Sequence, residues 1–200
     1  QHRKQIRLLQ APVLPAATPF PAGGREVLCR LSERAGIPVD AIGGAVGLKE
    51  ATHPGRVPRF WAVCDFRRRS NEPRFHVFDR VGDTVSSHLC AHGQKSEDDA
   101  HDGMAVHFSN VLGSNESSLG IYRCAEIYAG KHGNSLRIDG LEPTNSNARA
   151  RDVVLPRAPS VSEPLAQQYV RVACGDGVFT LPEADPPPAT AYLAWGALVR

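Results

Sequence analysis

Apolar positions recur at helical spacing in one stretch of this chain and at strand spacing in most of the rest. Between Arg25 and Ala35, the residues Val27, Leu28, Leu31 and Ala35 fall on one face of a helix. Gly36 and then Pro38 supply the stop signal, since glycine accepts the left-handed turn that ends helices and proline cannot continue one. A helix is therefore predicted over 25–35, and strand patterns follow it. Phe60-Trp-Ala-Val-Cys64 is a continuous apolar run after Pro58, with the aromatic and β-branched content of a buried strand. Residues 74–79 and 84–90 bracket Gly82-Asp83 and predict a β-hairpin. In its second arm Val85, Ser87 and Leu89 share one face, and Ser86, His88 and Cys90 share the other. Further strands are predicted at 105–108, 120–125, 135–138, 153–155 and 194–199. Many short strands separated by Gly, Asn and Ser turns predict a mainly β fold, a sandwich or barrel with a few short helices. Residues 1–24, rich in Pro and Ala with a basic start, read as a linker or poorly ordered arm, which leaves one domain over 25–200. No signal-peptide pattern is visible in that arm.

Composition narrows the function classes. Two hundred residues suffice for one domain with its own core, and 42% hydrophobic with 22% charged residues is the balance of a soluble globular protein. A net charge of +2 argues against nucleic acid as partner. Arg67-Arg68-Arg69 is the longest basic run and reads as a solvated loop. No apolar run reaches the length of a membrane span. Five cysteines are an odd number, so at least one lacks an intramolecular partner, and the absence of any CxxC spacing argues against a zinc ribbon or a thioredoxin-type motif.

Two clusters of reactive side chains stand out. His88, Cys90 and His92 alternate and can point to one side of a strand, with Asp98, Asp99, His101 and Asp102 close behind. Two imidazoles, a thiolate and a carboxylate would make a tetrahedral zinc site. The plainer reading is strand-end residues beside a solvated acidic loop, and no cofactor is called for. Cys174 lies in Ala173-Cys-Gly-Asp-Gly177, where the glycines suit an exposed turn with backbone donors. Asp176 beside it would oppose thiolate formation, and His132 or His92 would have to serve as base.

Three longer segments carry a family resemblance. They are Phe108-Ser-Asn-Val-Leu-Gly-Ser-Asn-Glu-Ser-Ser-Leu-Gly-Ile-Tyr122, Gly130-Lys-His-Gly-Asn-Ser-Leu-Arg-Ile-Asp-Gly-Leu-Glu142 and Asn147-Ala-Arg-Ala-Arg151. Together they resemble the murein L,D-transpeptidase (YkuD-type) catalytic domain, most strongly over 59–185. The resemblance implies an L,D-transpeptidase-like β fold, a place in the periplasm or cell envelope, and peptidoglycan stem peptides or an envelope protein as partners. It also implies a mechanism in which a cysteine thiolate attacks a stem-peptide carbonyl while a histidine moves the proton. The family carries that histidine in a V-x-HGA segment and the cysteine in a GC-x-ALPEAD-like segment. Here the two positions are Pro156 and Val178, and Arg157 replaces the glycine after the histidine. Proline has no side-chain base and valine no nucleophile. The resemblance thus implies a catalytically inactive member. It leaves Cys174 with His132 or His92 as a relocated catalytic pair, and metal binding by His88, Cys90 and His92, as the alternatives. His132 and His92 also match histidines of the family pattern, so their presence alone does not signal new chemistry. Arg137, Asn147, Arg149, Arg151 and Ser118, with Glu142 nearby, are expected either to fix loops by internal bonds or to hold a substrate carboxylate.

Overall fold

The computed structural model describes residues 24–52, 57–130, 133–168, 179–183 and 193–199. Helices α1 (Gly24–Arg34) and α2 (Val39–Thr52) come first. Strands β1 (Phe60–Asp65), β2 (Phe75–Asp79), β3 (Thr84–His88), β4 (Gly120–Gly130), β5 (Gly133–Gly140), β6 (Val154–Leu155) and β7 (Arg157–Ala158) follow. Helix α3 (Glu163–Gln168) and strands β8 (Leu181–Pro182) and β9 (Leu193–Val199) complete the order. Seven strands form one sheet in the order β3-β2-β1-β9-β4-β5-β6, and β7 and β8 form a second, small sheet. Every pairing in the large sheet is antiparallel except β1 with β9. The fold is mainly β, as expected, but the described strands close no barrel.

The alternation of side chains gives the large sheet two apolar faces. One face carries Trp61, Val63 and Phe78, on which Leu28 and Leu31 of α1 and Ile42, Ala45 and Val46 of α2 are buried. The Trp61 indole N–H, which cannot stay dry without a partner, donates to the Pro58 carbonyl at 3.1 Å. The other face carries Ala62, Cys64, Phe75, Val77, Tyr122, Leu136 and Ile138, covered by Phe66, Phe179 and Leu181. Each large side chain buried there contributes about 1.5–3 kcal/mol of hydrophobic stabilisation.

Several sequence expectations are met closely. Helix α1 spans Gly24–Arg34 and ends at Gly36, whose φ of 69° is the left-handed stop anticipated there. The hairpin 74–79/84–90 appears as β2 and β3, with Val85 opposite Phe78 on the helix side and His88 opposite Phe75 on the other. Residues 39–52, for which no element was expected, form α2, and one expectation is corrected. Residues 105–108, read as a strand, are irregular: the Val106 and His107 amides both donate to the Ser96 carbonyl, so a turn takes up the hydrogen bonds that a ladder would have used. The proposed arm lies outside the described residues up to position 23, and Gly24 already belongs to α1.

Candidate functional site

Three distant segments meet on the face away from α1 and α2. The chain after β6 passes through Pro156 into β7, and residues 179–182 run beside it. The Phe179 amide donates to the Val154 carbonyl at 3.3 Å and the Leu181 amide to the Pro156 carbonyl at 3.0 Å. On the far side of that strand, the Ala91 amide donates to the Thr180 carbonyl at 2.9 Å. The segment ending in His92, the histidine-position segment at Pro156 and the run after Val178 are therefore neighbours. Their meeting point is apolar and aromatic. Phe66 lies 5.7 Å from Phe108 and 6.0 Å from Phe179 between ring centroids, and Tyr122 meets Phe179 edge-on at 5.9 Å. Pro156 is buried, its carbonyl is engaged by Leu181, and its ring carries no proton acceptor. Arg157 is exposed. Val178, Cys174 and His132 lie outside the described residues.

Beside this apolar spot runs a buried charged chain. Arg74, fully buried, is held over the Phe66 ring at 5.0 Å and donates to the Cys90 carbonyl at 2.9 Å and the Arg68 carbonyl at 3.0 Å. Its Nη2 also reaches His92 Nδ1 at 2.7 Å, while His92 Nε2 meets Glu97 Oε1 at 2.9 Å. A guanidinium only donates, so His92 Nδ1 must accept, and the ring proton sits on Nε2 and is given to Glu97. Glu97 Oε2 then faces the exposed His101 at 3.6 Å. Both nitrogens of His92 are occupied and the ring is fully buried, while Cys174, the thiol it was read to serve, lies outside the described residues. Arg74 and Glu97 were not singled out in the sequence. A charged residue at the head of the apolar Phe75–Phe78 run was the available signal for Arg74, whereas Glu97 was hidden in an acidic stretch that reads as solvated.

The three residues read as metal ligands lie in the same region. Among the described residues no group of three or more His, Cys, Asp or Glu side chains is placed to hold a metal ion. His88 Nε2 meets Ser86 Oγ at 2.9 Å, Cys90 is buried with its Sγ 3.4 Å from the Ala91 carbonyl, and His92 is engaged as described.

The residues expected to fix loops or hold substrate are all engaged internally. Arg151 binds the Ser109 carbonyl at 2.6 Å, Ser118 Oγ at 3.2 Å, Ser114 Oγ at 3.1 Å and the Glu116 carbonyl at 2.5 Å. Burial lowers its guanidinium from the ordinary value. Ser118 and Tyr122 form a closed pair. The Tyr122 hydroxyl donates to the Ser118 carbonyl at 3.0 Å, so the Ser118 hydroxyl is the donor in the 2.7 Å contact between them. Burial pushes the Tyr122 phenol up to about 12. Asn147 donates its backbone amide to Asn110 Oδ1 and its side-chain amide to the Asn110 carbonyl, both at 3.0 Å. Arg137 pairs with Asp152 at 3.0 Å. Arg149 bridges Glu126 at 2.8 Å and Asp139 at 2.6 Å. Glu142 accepts from the Ile121 amide at 2.6 Å, and Asn145 donates back to the Ile121 carbonyl at 2.9 Å. Glycine is required at this junction: a Cβ on Gly140 would overlap the Asn145 carbonyl, and Gly120 has a φ of 131°. These motifs lock the loops to β4 and β5.

A family described as the L,D-transpeptidase catalytic domain matches residues 42–199. No curated protein matches the sequence. Two similar solved structures are Bd1075 of Bdellovibrio bacteriovorus, at 14% identity and a TM-score of 0.40, and an L,D-transpeptidase from Mycobacterium tuberculosis, at 13% and 0.34. Each match covers 70% of this chain, and the chain spans 47% and 57% of those proteins respectively. The family match extends over most of the sequence: the chain belongs to the L,D-transpeptidase catalytic-domain family.

Proposed function

We propose that this member of the L,D-transpeptidase family has lost the family's cysteine acyl transfer and serves in the cell envelope as a non-catalytic domain that binds peptidoglycan stem peptides. The observation that carries the reading is Pro156. Acyl transfer needs a base to take the thiol proton and return it to the leaving amine. At the position where the resemblance places that base stands a buried ring with no acceptor, its carbonyl committed to the Leu181 amide and Phe179 and Leu181 fully buried beside it. His92, next to the Ala91 amide that bonds the Thr180 carbonyl, has both nitrogens occupied. Valine at position 178 removes the nucleophile as well. The internally braced loops 109–118 and 142–151 support retention of the fold for recognition.

Purified tetrapeptide-rich muropeptides test this with two readouts, D-Ala release by mass spectrometry and equilibrium binding. Saturable binding without D-Ala release is the expected result. Turnover that disappears in Cys174→Ser would overturn the reading and make the chain an enzyme with a moved nucleophile. Absence of both signals would replace peptide recognition with a structural or protein-binding role in the envelope.

A further inference from the structure

Two thiols that the proposed function does not use meet in the main core. Cys64 lies on β1, and Cys90 follows β3 by two residues. Strand β2 separates β1 from β3 in the sheet. Beyond the head of β2 the chain after β3 folds across the gap. The Asp65 amide donates to the Arg74 carbonyl, the Arg74 amide to the His88 carbonyl, and the Arg74 guanidinium to the Cys90 carbonyl. Arg74 thus links the backbone next to Cys64 with the carbonyl of Cys90. Both cysteines are free thiols, fully buried in the same apolar cluster, and the Cys90 thiol is near enough to raise the pKa of Cys64. The other two described cysteines are placed differently: Cys29 is on α1, and Cys124 is on β4, which β9 separates from β1.

We propose that Cys64 and Cys90 are a disulfide-forming pair, oxidised by a small or protein disulfide donor as the chain folds. One thiolate attacks the donor's S–S bond, releasing one donor thiol and leaving a mixed disulfide on the protein. The second thiolate attacks the protein sulfur of that mixed disulfide and releases the second donor thiol. The protein loses two hydrogens with their electrons, and the donor gains them. The timing follows from burial. In the folded core, desolvation and the neighbouring Cys90 thiol push the Cys64 thiol well above its ordinary value, and no donor reaches either sulfur. The bond therefore forms before the core closes and is afterwards shielded from reduction. It would fasten β1 to the segment that carries His92, across β2.

This inference stands on the core geometry and is independent of whether acyl transfer is retained. The full chain, denatured and reduced, is refolded in a mixture of reduced and oxidised glutathione, denatured in iodoacetamide and digested. Mass spectrometry is expected to find a Cys64–Cys90 linked peptide, alkylated Cys29, Cys124 and Cys174, and an alkylated Cys90 in Cys64→Ala. Alkylation of both Cys64 and Cys90 in the unsubstituted protein would overturn the proposal. So would linkage of either one to glutathione or to another cysteine.

Discussion

His76 has its Nδ1 2.8 Å from Ser87 Oγ, while its buried Nε2 has no partner among the described residues. Burial, with Arg68 and His88 adding to it and Asp65 opposing, lowers its pKa from 6.5 to about 4. The folded state therefore resists a proton that the unfolded chain accepts. Stability from this group is complete above about pH 6.5 and is lost as the pH falls towards 4. The loss amounts to roughly 2 kcal/mol after allowing for screening by solvent. His76→Gln keeps a partner for Ser87 and removes the titration. Its denaturant midpoint should change less than the parent's between pH 7 and pH 4, and parallel slopes would show that His76 is not the group responsible. Position 156 shows how legibility differs by residue. The proposed loss of a base rests on the letter alone, because no environment gives a proline side chain an acceptor. The orphaned nitrogen of His76 could not, because it depends on what β1 and β3 bring alongside.

Among the elements, the loop 109–118 depends on one side chain from another segment. Arg151 holds two of its carbonyls and two of its hydroxyls. Arg151→Met leaves those acceptors with fewer donors and should cost about 2–3 kcal/mol. Amide exchange in 109–118 should accelerate more than in β1 and β2. Uniform acceleration across the sheet would mean that the loop is not anchored in this way. The strands were largely legible because a two-sided buried sheet writes aromatic and β-branched runs directly into the sequence, as in Phe60–Cys64. Helix α2 was not. Gly43, Gly44 and Gly47 depress its helix propensity, and its apolar residues do not gather on one stripe. Burial of Ile42, Ala45 and Val46 against the sheet settles its conformation, and that contact is invisible along the chain. The apparent strand at 105–108 fails for the converse reason: its amides are taken by Ser96.

In the whole molecule, one sheet separates two cores and ties them together. Leu28 is fully buried in the helix-side core. Leu28→Ala should destabilise by about 2–5 kcal/mol and lower the melting temperature by about 5–15 °C. Because Trp61 and Cys64 sit on opposite faces of the same strand, both cores should melt together. Tryptophan fluorescence and far-UV circular dichroism should give one coincident curve, and two separated transitions would show independent halves. The candidate site was legible in the sequence as three separate segments. That they converge, and that Arg74 and Glu97 enclose His92 between them, required the tertiary pairing of residues 91, 156 and 180.

The position of β9 sets the order of events during synthesis. It is the last described strand in the chain, yet it lies near the middle of the sheet, parallel to β1 on one side and antiparallel to β4 on the other. Until residues 193–199 leave the ribosome, β1 and β4 have no bridge, and each presents an open edge to other nascent chains. Translation from β1 to β9 takes on the order of ten seconds, far longer than a hairpin needs to form. The sheet thus waits as two incomplete halves. That interval is when a holding chaperone would matter most and when aggregation would compete with folding.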